Sequence, residues 1–445
     1  MNLLSYFSCL LIVSVVTPIR YDGQSLVRIS RSLYDRVLKT LPDRPWSITL
    51  NDVDIVVTNT TTQHLSTLLL PNETLTVLVQ DLQKPVDIES ARLSTASKTV
   101  HAAAATSWLS DYKRYDEIVN HVNALPALYP KLAIHVFPSI GKSVQQRDII
   151  AFSISSKNSN TTKQTAYIQS LIHAREWITV TTLFTFCTTL LDAYTANNST
   201  AVALLDKLQF VFVPVVNPDG YEYSWTSDRY WRKNMARYPN GTLYGVDLNR
   251  NFPTMWGLEE GSSMNPTELD YRGPSAASEP ETQAIMGFFS SLNNVLFAID
   301  IHSYSQLVLR PRYYTTDLAA DDSYLRYLGK GIAEQIRRTS NDEYTNQRGI
   351  QLYKTSGDVT TYMRGVGATG NRENNIITFG LELSPSGRTN GAAGFVLDKS
   401  MIPTVGNGVT AGLLWLSQTA SPATRTSVTW WLYALVMYCW IMHNP

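Results

Sequence analysis

The stretch "AYIQSLIHAREWITVTTLFTFCTTLLDAYT" (Ala166 to Thr195) runs from a short apolar segment, through a polar knot, into a long apolar pattern. The first part, Ala166 to Ile172, is nearly continuous in apolar residues. That pattern suits a central strand covered on both faces. The part from Glu176 onward reads as a helix. At the joint His173 and Glu176 lie three residues apart, and at helical spacing such a pair shares a face and reaches one ion. Two polar residues on one side of a helix show the same spacing with no metal between them. The pair alone decides nothing.

Working outward, three more β-like runs follow: "QFVFVPVV" (Gln209 to Val216), "VLFAIDI" (Val295 to Ile301) and "IITFGLEL" (Ile376 to Leu383). A helical pattern, "SEPETQAIMGFFSSL", separates two of them; Ser278 is its expected cap, Pro280 sits early, and Glu281 completes a capping box. Each apolar run carries a polar group at or just beyond its end: His173, then Asn217-Pro218-Asp219, then His302, and Glu382 in the last. Open α/β sheets bind ligands at the carboxyl ends of their strands, so these distant residues are predicted to share one crevice.

The chain has 445 residues, with 37 basic side chains balancing 37 acidic ones. That balance gives no electrostatic case for nucleic acid. Its length calls for one large domain plus something smaller. Residues 21–98 alternate β-like pieces ("SLVRIS", "VDIVVTNT", "LTVLVQDL") around a helical "HLSTLLLP", a small α+β module. "RLSTASKTVHAAAATS" after it suits a linker, with Arg92 and Lys98 as cleavage points if the module is a removable pro-segment; the other reading is a permanently attached domain. Residues 1–20 hold an apolar run of signal-peptide length. Asn-x-Ser/Thr sequons at Asn59, Asn72, Asn160, Asn197, Asn198 and Asn240 fit secretory entry. Residues 419–445 run small, polar, then apolar (Val428 to Met442), the order of a GPI-attachment signal; a buried terminal helix or a short anchor is the alternative. Of Cys9, Cys187 and Cys439, only Cys187 lies between these ends, and it reads as a buried apolar residue.

"HAREW", "GVDLNRN", "HSYSQ" and "LEL...GRTNGAAGF", in this order and spacing, resemble the pancreatic-type zinc metallocarboxypeptidases, the carboxypeptidase A/B family; the membrane-tethered carboxypeptidase O type is similar too. The resemblance covers about Tyr112 to Leu416 and, more weakly, the N-terminal module. It implies a mixed, mostly parallel sheet with helices on both faces, preceded by a small α+β pro-domain (21–98), a linker (99–111) and a catalytic domain (112–418). It also implies one zinc ion held by His173, Glu176 and His302, the two-histidine, one-glutamate set of carboxypeptidase A. Glu382 becomes the general base and Arg232 the carbonyl-polarising residue. Asn249, Arg250 and Tyr353 grip the free C-terminal carboxylate, Arg175 and Tyr304 line the outer substrate path, and Thr360 forms the base of the specificity pocket.

Threonine there favours neutral terminal residues, unless Arg348 points inward and favours acidic ones. Two departures stand out. Leu243 and Thr267 occupy the places of a disulfide in the vertebrate digestive members, and "GVGATGNRENN" is longer than the usual loop. The expected protein is a monomeric exopeptidase acting on peptide C-termini, with an activating protease as partner and a surface lipid tether. Two rivals are a non-catalytic binding protein on the same fold, and an amidase or endopeptidase lacking the carboxylate grip.

Overall fold

The computed structural model describes residues 17–37, 41, 45–99, 105–158, 162–365, 376–385 and 394–421. The expected leader and the apolar tail lie outside the described residues, as does most of "GVGATGNRENN" and the "SGRTNGAA" of the last motif.

A small N-terminal unit comprises β1 (Gln24–Ser30), α1 (Arg31–Val37), β2 (Ser47–Ile48), β3 (Asp52–Thr58), α2 (Asn59–Thr67), β4 (Leu75–Val79) and α3 (Gln83–Thr99). Its sheet has the order β2-β3-β1-β4 and is antiparallel throughout. The Thr58 hydroxyl caps α2 by accepting from the Thr61 N–H, so that helix starts ahead of the apolar stretch that suggested it. The expected linker is helical as far as Thr99.

The larger unit contains α4 (Tyr115–Leu128), β5 (Leu132–Phe137), β6 (Ala151–Ser156), β7 (Gln164–Ser170), α5 (Ile178–Thr195), α6 (Ser199–Lys207), β8 (Leu208–Val213) and α7 (Pro218–Thr226). It continues through α8 (Pro280–Ser291), β9 (Val295–Ser303), β10 (Leu307–Arg310), α9 (Asp322–Ser340), β11 (Thr345–Arg348), α10 (Val359–Gly365), β12 (Ile377–Leu383) and α11 (Ile402–Thr419). Among the described residues its eight strands form one mixed sheet, β11-β10-β12-β9-β7-β8-β6-β5. The central run β12-β9-β7-β8 is parallel, as near-continuous apolar strands require. Alternate residues feed two cores: Ile168, Phe210, Phe212 and Ile299 enter one, while Tyr167, Val211, Val213 and Ala298 enter the other. Helices α5, α9 and α11 cover the first face, and α8 and α10 cover the second. The expected α/β architecture with helices on both faces is therefore what forms.

One local expectation fails. Helix α8 has no side-chain cap at its start. Ser278 instead bonds Asn251 and Glu279. Glu281 turns inward, accepting from the Val144 N–H at 2.9 Å and Asn234 Nδ2 at 3.1 Å. Tertiary donors outcompete the local cap because they leave this buried carboxyl no unpaired oxygen.

Candidate active site

Strand β7 ends at Ser170, and Leu171 adopts a left-handed φ of 51°. The Thr179 hydroxyl then closes a turn, donating to the Glu176 carbonyl at 2.7 Å and accepting from the Leu171 N–H at 3.3 Å. His173 and Glu176 sit in that turn, ahead of α5, rather than on a helical face as their spacing suggested. Strand β9 is β7's neighbour and carries His302 near its end. Strand β12, on the other side of β9, sets Glu382 directly against His302 in parallel register.

Three donors converge. One donor atom each from His173, Glu176 and His302 lies within 4.8 Å of the others, and all three residues are buried. Glu176 Oε1 is 2.9 Å from His173 Nδ1, and Oε2 is 3.2 Å from His302 Nδ1. The far nitrogens are occupied by carboxylates: His173 Nε2 meets Asp247 at 3.1 Å and His302 Nε2 meets Asp300 at 2.5 Å. An imidazole that donates from Nε2 to a carboxylate presents the Nδ1 lone pair, so both lone pairs face one point beside a carboxylate. That donor set fits a zinc ion.

The charges at this point hold one another. Burial pushes Glu176 towards its neutral form, but the two imidazoles keep it below the usual carboxylate range. Burial likewise acts on Asp247, and Arg232 with His173 and Arg250 holds it well below that range. Arg232 donates to Asp247 Oδ2 from Nε (3.2 Å) and Nη2 (3.0 Å), leaving Nη1 at 3.8 Å from Glu176. Glu382 goes the other way. Burial pushes it up to about 8, with Glu176 and Asp300 adding repulsion and His302 and Arg232 opposing them. A divalent cation beside it pulls that value back down.

Next to this cluster lies a cavity reached by Asn249, Arg250, Tyr353, Thr360 and Glu382. Arg250 donates from Nη2 to the Tyr353 hydroxyl at 3.2 Å and from Nη1 to the Asn249 carbonyl at 2.8 Å. Its Nε is buried without a partner among the described residues. Asn249 accepts from the Val359 N–H, which fixes its amide with Nδ2 towards His302. Arg348 points elsewhere, donating to the Thr316 carbonyl.

Arg175 and Tyr304 meet the N-terminal unit instead of open solvent. Arg175 lies over the rings of Phe395 (4.0 Å) and Trp46 (5.3 Å), and the Tyr304 hydroxyl donates to Asp54 at 2.9 Å. Asp54 in turn pairs with Arg28 at 2.7 Å. Where the resemblance led us to look for a missing disulfide, Lys233 Nζ straps the loop by donating to the carbonyls of Pro266 (2.8 Å) and Glu268 (2.9 Å).

The sequence reading missed Asp247 and Asp300 as partners of the histidines. Asp300 had a signal: two residues before His302 on a strand, it emerges on the same side. Asp247 had none beyond its place inside "GVDLNRN".

The sequence profile described as zinc carboxypeptidase matches residues 118–412. Mast cell carboxypeptidase A of Rattus norvegicus is 29% identical over 404 residues, covering 87% of this chain and 92% of that protein. Carboxypeptidase O of Bos taurus is 33% identical over 296 residues, covering 65% of this chain and 75% of its own length. The crystal structure of carboxypeptidase A from Helicoverpa armigera superposes with a TM-score of 0.75 at 25% identity, covering 91% of this chain and all (100%) of that one.

Proposed function

The chain belongs to the zinc carboxypeptidase family, and from that premise we propose how this cleft removes the last residue of a peptide. The protein is a metallocarboxypeptidase, a zinc-dependent hydrolase acting at C-termini with one zinc ion per chain. His173, Glu176 and His302 would hold the ion, which when bound would supply a Lewis acid and lower the pKa of a water beside it towards about 7.

The chain's own residues do the rest. Arg250, with Asn249 Nδ2 and the Tyr353 hydroxyl, receives the substrate's terminal carboxylate; a planar guanidinium fork suits that shape and rejects an internal peptide. Arg232, anchored by Asp247, directs its remaining N–H groups at the scissile carbonyl oxygen and stabilises the charge that develops there. Glu382 takes a proton from the attacking water and returns it to the leaving nitrogen. The observation that carries this reading is the β9–β12 register, which sets His302 against Glu382. We expect Glu382→Gln to lower turnover of a chromogenic C-terminal substrate by at least about a hundredfold with zinc retained. Near-wild-type turnover at full zinc content overturns the role.

Residues 21–98 act in this reading as a removable cover, supported by Asp54 on Tyr304 and Trp46 over Arg175. The leader, the sequons and the tail support entry to the secretory pathway and a surface lipid tether. Mass spectrometry of the mature protein from expressing cells checks both ends. Peptides from Val428 to Met442 defeat the tether, and an active species retaining 21–98 defeats the cover.

A further inference from the structure

The pocket beside the carboxylate grip is short, and Tyr313 makes it so. Its ring lies against the end of β11, where a Cβ on Gly349 would sit 2.0 Å from it, and its hydroxyl reaches 3.0 Å from where a Cβ on Gly380 would be. That hydroxyl donates to the Leu309 carbonyl at 3.1 Å. Gly349 thus admits a ring that any side chain there would expel, and Gly380 leaves the hydroxyl end its room.

The floor is also tied down. Thr360 Oγ1 donates to Asp358 Oδ1 at 2.5 Å, and Asp358 further accepts from the Thr361 N–H (2.8 Å) and hydroxyl (2.6 Å). Asp358 and Thr360 are both almost fully buried. With these walls the cavity has a volume of about 40 Å³. With Tyr313 filling its far side, the space left suits the short side chain of Ala, Ser, Thr or Val better than an aromatic ring or a guanidinium. Beyond Arg250, which the terminal carboxylate engages, the ionisable lining includes the carboxyl groups of Asp300, Asp358 and Glu382, which disfavour an acidic side chain.

We infer that this protein selects peptides ending in a short, uncharged residue, with Tyr313 setting the depth of the pocket. The inference rests on the carboxypeptidase reading and names its substrate class. The test is a peptide panel differing only in the last residue, given to the zinc-loaded protein before and after limited trypsin treatment. Alanine, serine, threonine and valine termini are expected to exceed phenylalanine, arginine and glutamate by at least about tenfold in kcat/KM. Tyr313→Ala should raise the phenylalanine-to-alanine ratio at least about tenfold, and Tyr313→Phe should leave it unchanged. Competition by 2-methylsuccinate against 2-benzylsuccinate reads the same depth in the wild type, so the idea stands or falls even if Tyr313→Ala does not fold. Phenylalanine or arginine cleaved as fast as alanine, or tighter binding of the benzyl compound, overturns it while leaving the carboxypeptidase reading intact. Cleavage of no free-acid peptide at full zinc content overturns both.

Discussion

At the metal end of the cleft, His173 leans on Asp247 and His302 on Asp300, while Glu176 touches both rings. Further along, Arg250 keeps Nε buried with no partner among the described residues, in a cavity it shares with Tyr353, Tyr313 and Thr360. One end answers its own charges before any substrate arrives. The other withholds an answer. A buried polar group without a partner costs about 1–3 kcal/mol, and a substrate carboxylate reaching Arg250 would offset that cost. The contrast separates what holds the ion from what recognises the peptide.

The sharpest way to break that contrast is to spoil the self-sufficient end. Asp247→Asn removes the charge behind His173 and Arg232 together. We expect a loss of about 10–100-fold in zinc affinity, measured by competition with a chelator, since outer partners of ligating histidines contribute that much. Unchanged affinity would mean that the His173 ring is fixed by packing alone. At the open end, Arg250→Ala should leave zinc affinity alone and cost about 1.5–3 kcal/mol in kcat/KM, the value of a hydrogen bond to a charged group. C-terminally amidated peptides should suffer a similar penalty with the wild type. Equal cleavage of amidated and free-acid peptides removes the distinction between the two ends.

A third buried carboxyl, outside the cleft, sharpens the comparison at the smallest scale. Asp247 has an arginine and a histidine beside it and stays ionised, whereas Glu281 has only neutral donors, and burial pushes it up to about 7. In the unfolded chain Glu281 titrates near its ordinary value of about 4.3. Between those values the folded protein holds the extra proton, so Glu281 lowers stability as pH rises from about 4.5 to about 7, with no further loss above. We expect Glu281→Gln to flatten that part of the slope, by a few degrees in Tm between pH 5 and pH 8. A slope identical to wild type would show that Glu281 is ionised in the fold.

How much of this was readable beforehand follows the same division. The metal ligands were legible because the family resemblance assigned His173, Glu176 and His302 that role, and the places of His173 and His302 at the ends of apolar runs supported their meeting in one crevice. The turn that carries His173 and Glu176 was not, because its closure depends on the Thr179 hydroxyl and not on periodicity. Glu281 looked like a cap by local spacing, and the buried Val144 and Asn234 donors lie far off in sequence. Tyr313 gave no signal at all. Its importance comes from Gly349 and Gly380, which are brought against it only by the sheet.

The strap made by Lys233 has a practical side. Where a sulfur–sulfur bond would fasten the loop, an ammonium group holds two carbonyl oxygens. Among the described residues the cysteine present, Cys187, is buried and free. Reductant therefore has nothing to cut in this loop, and refolding it calls for no oxidant or isomerase.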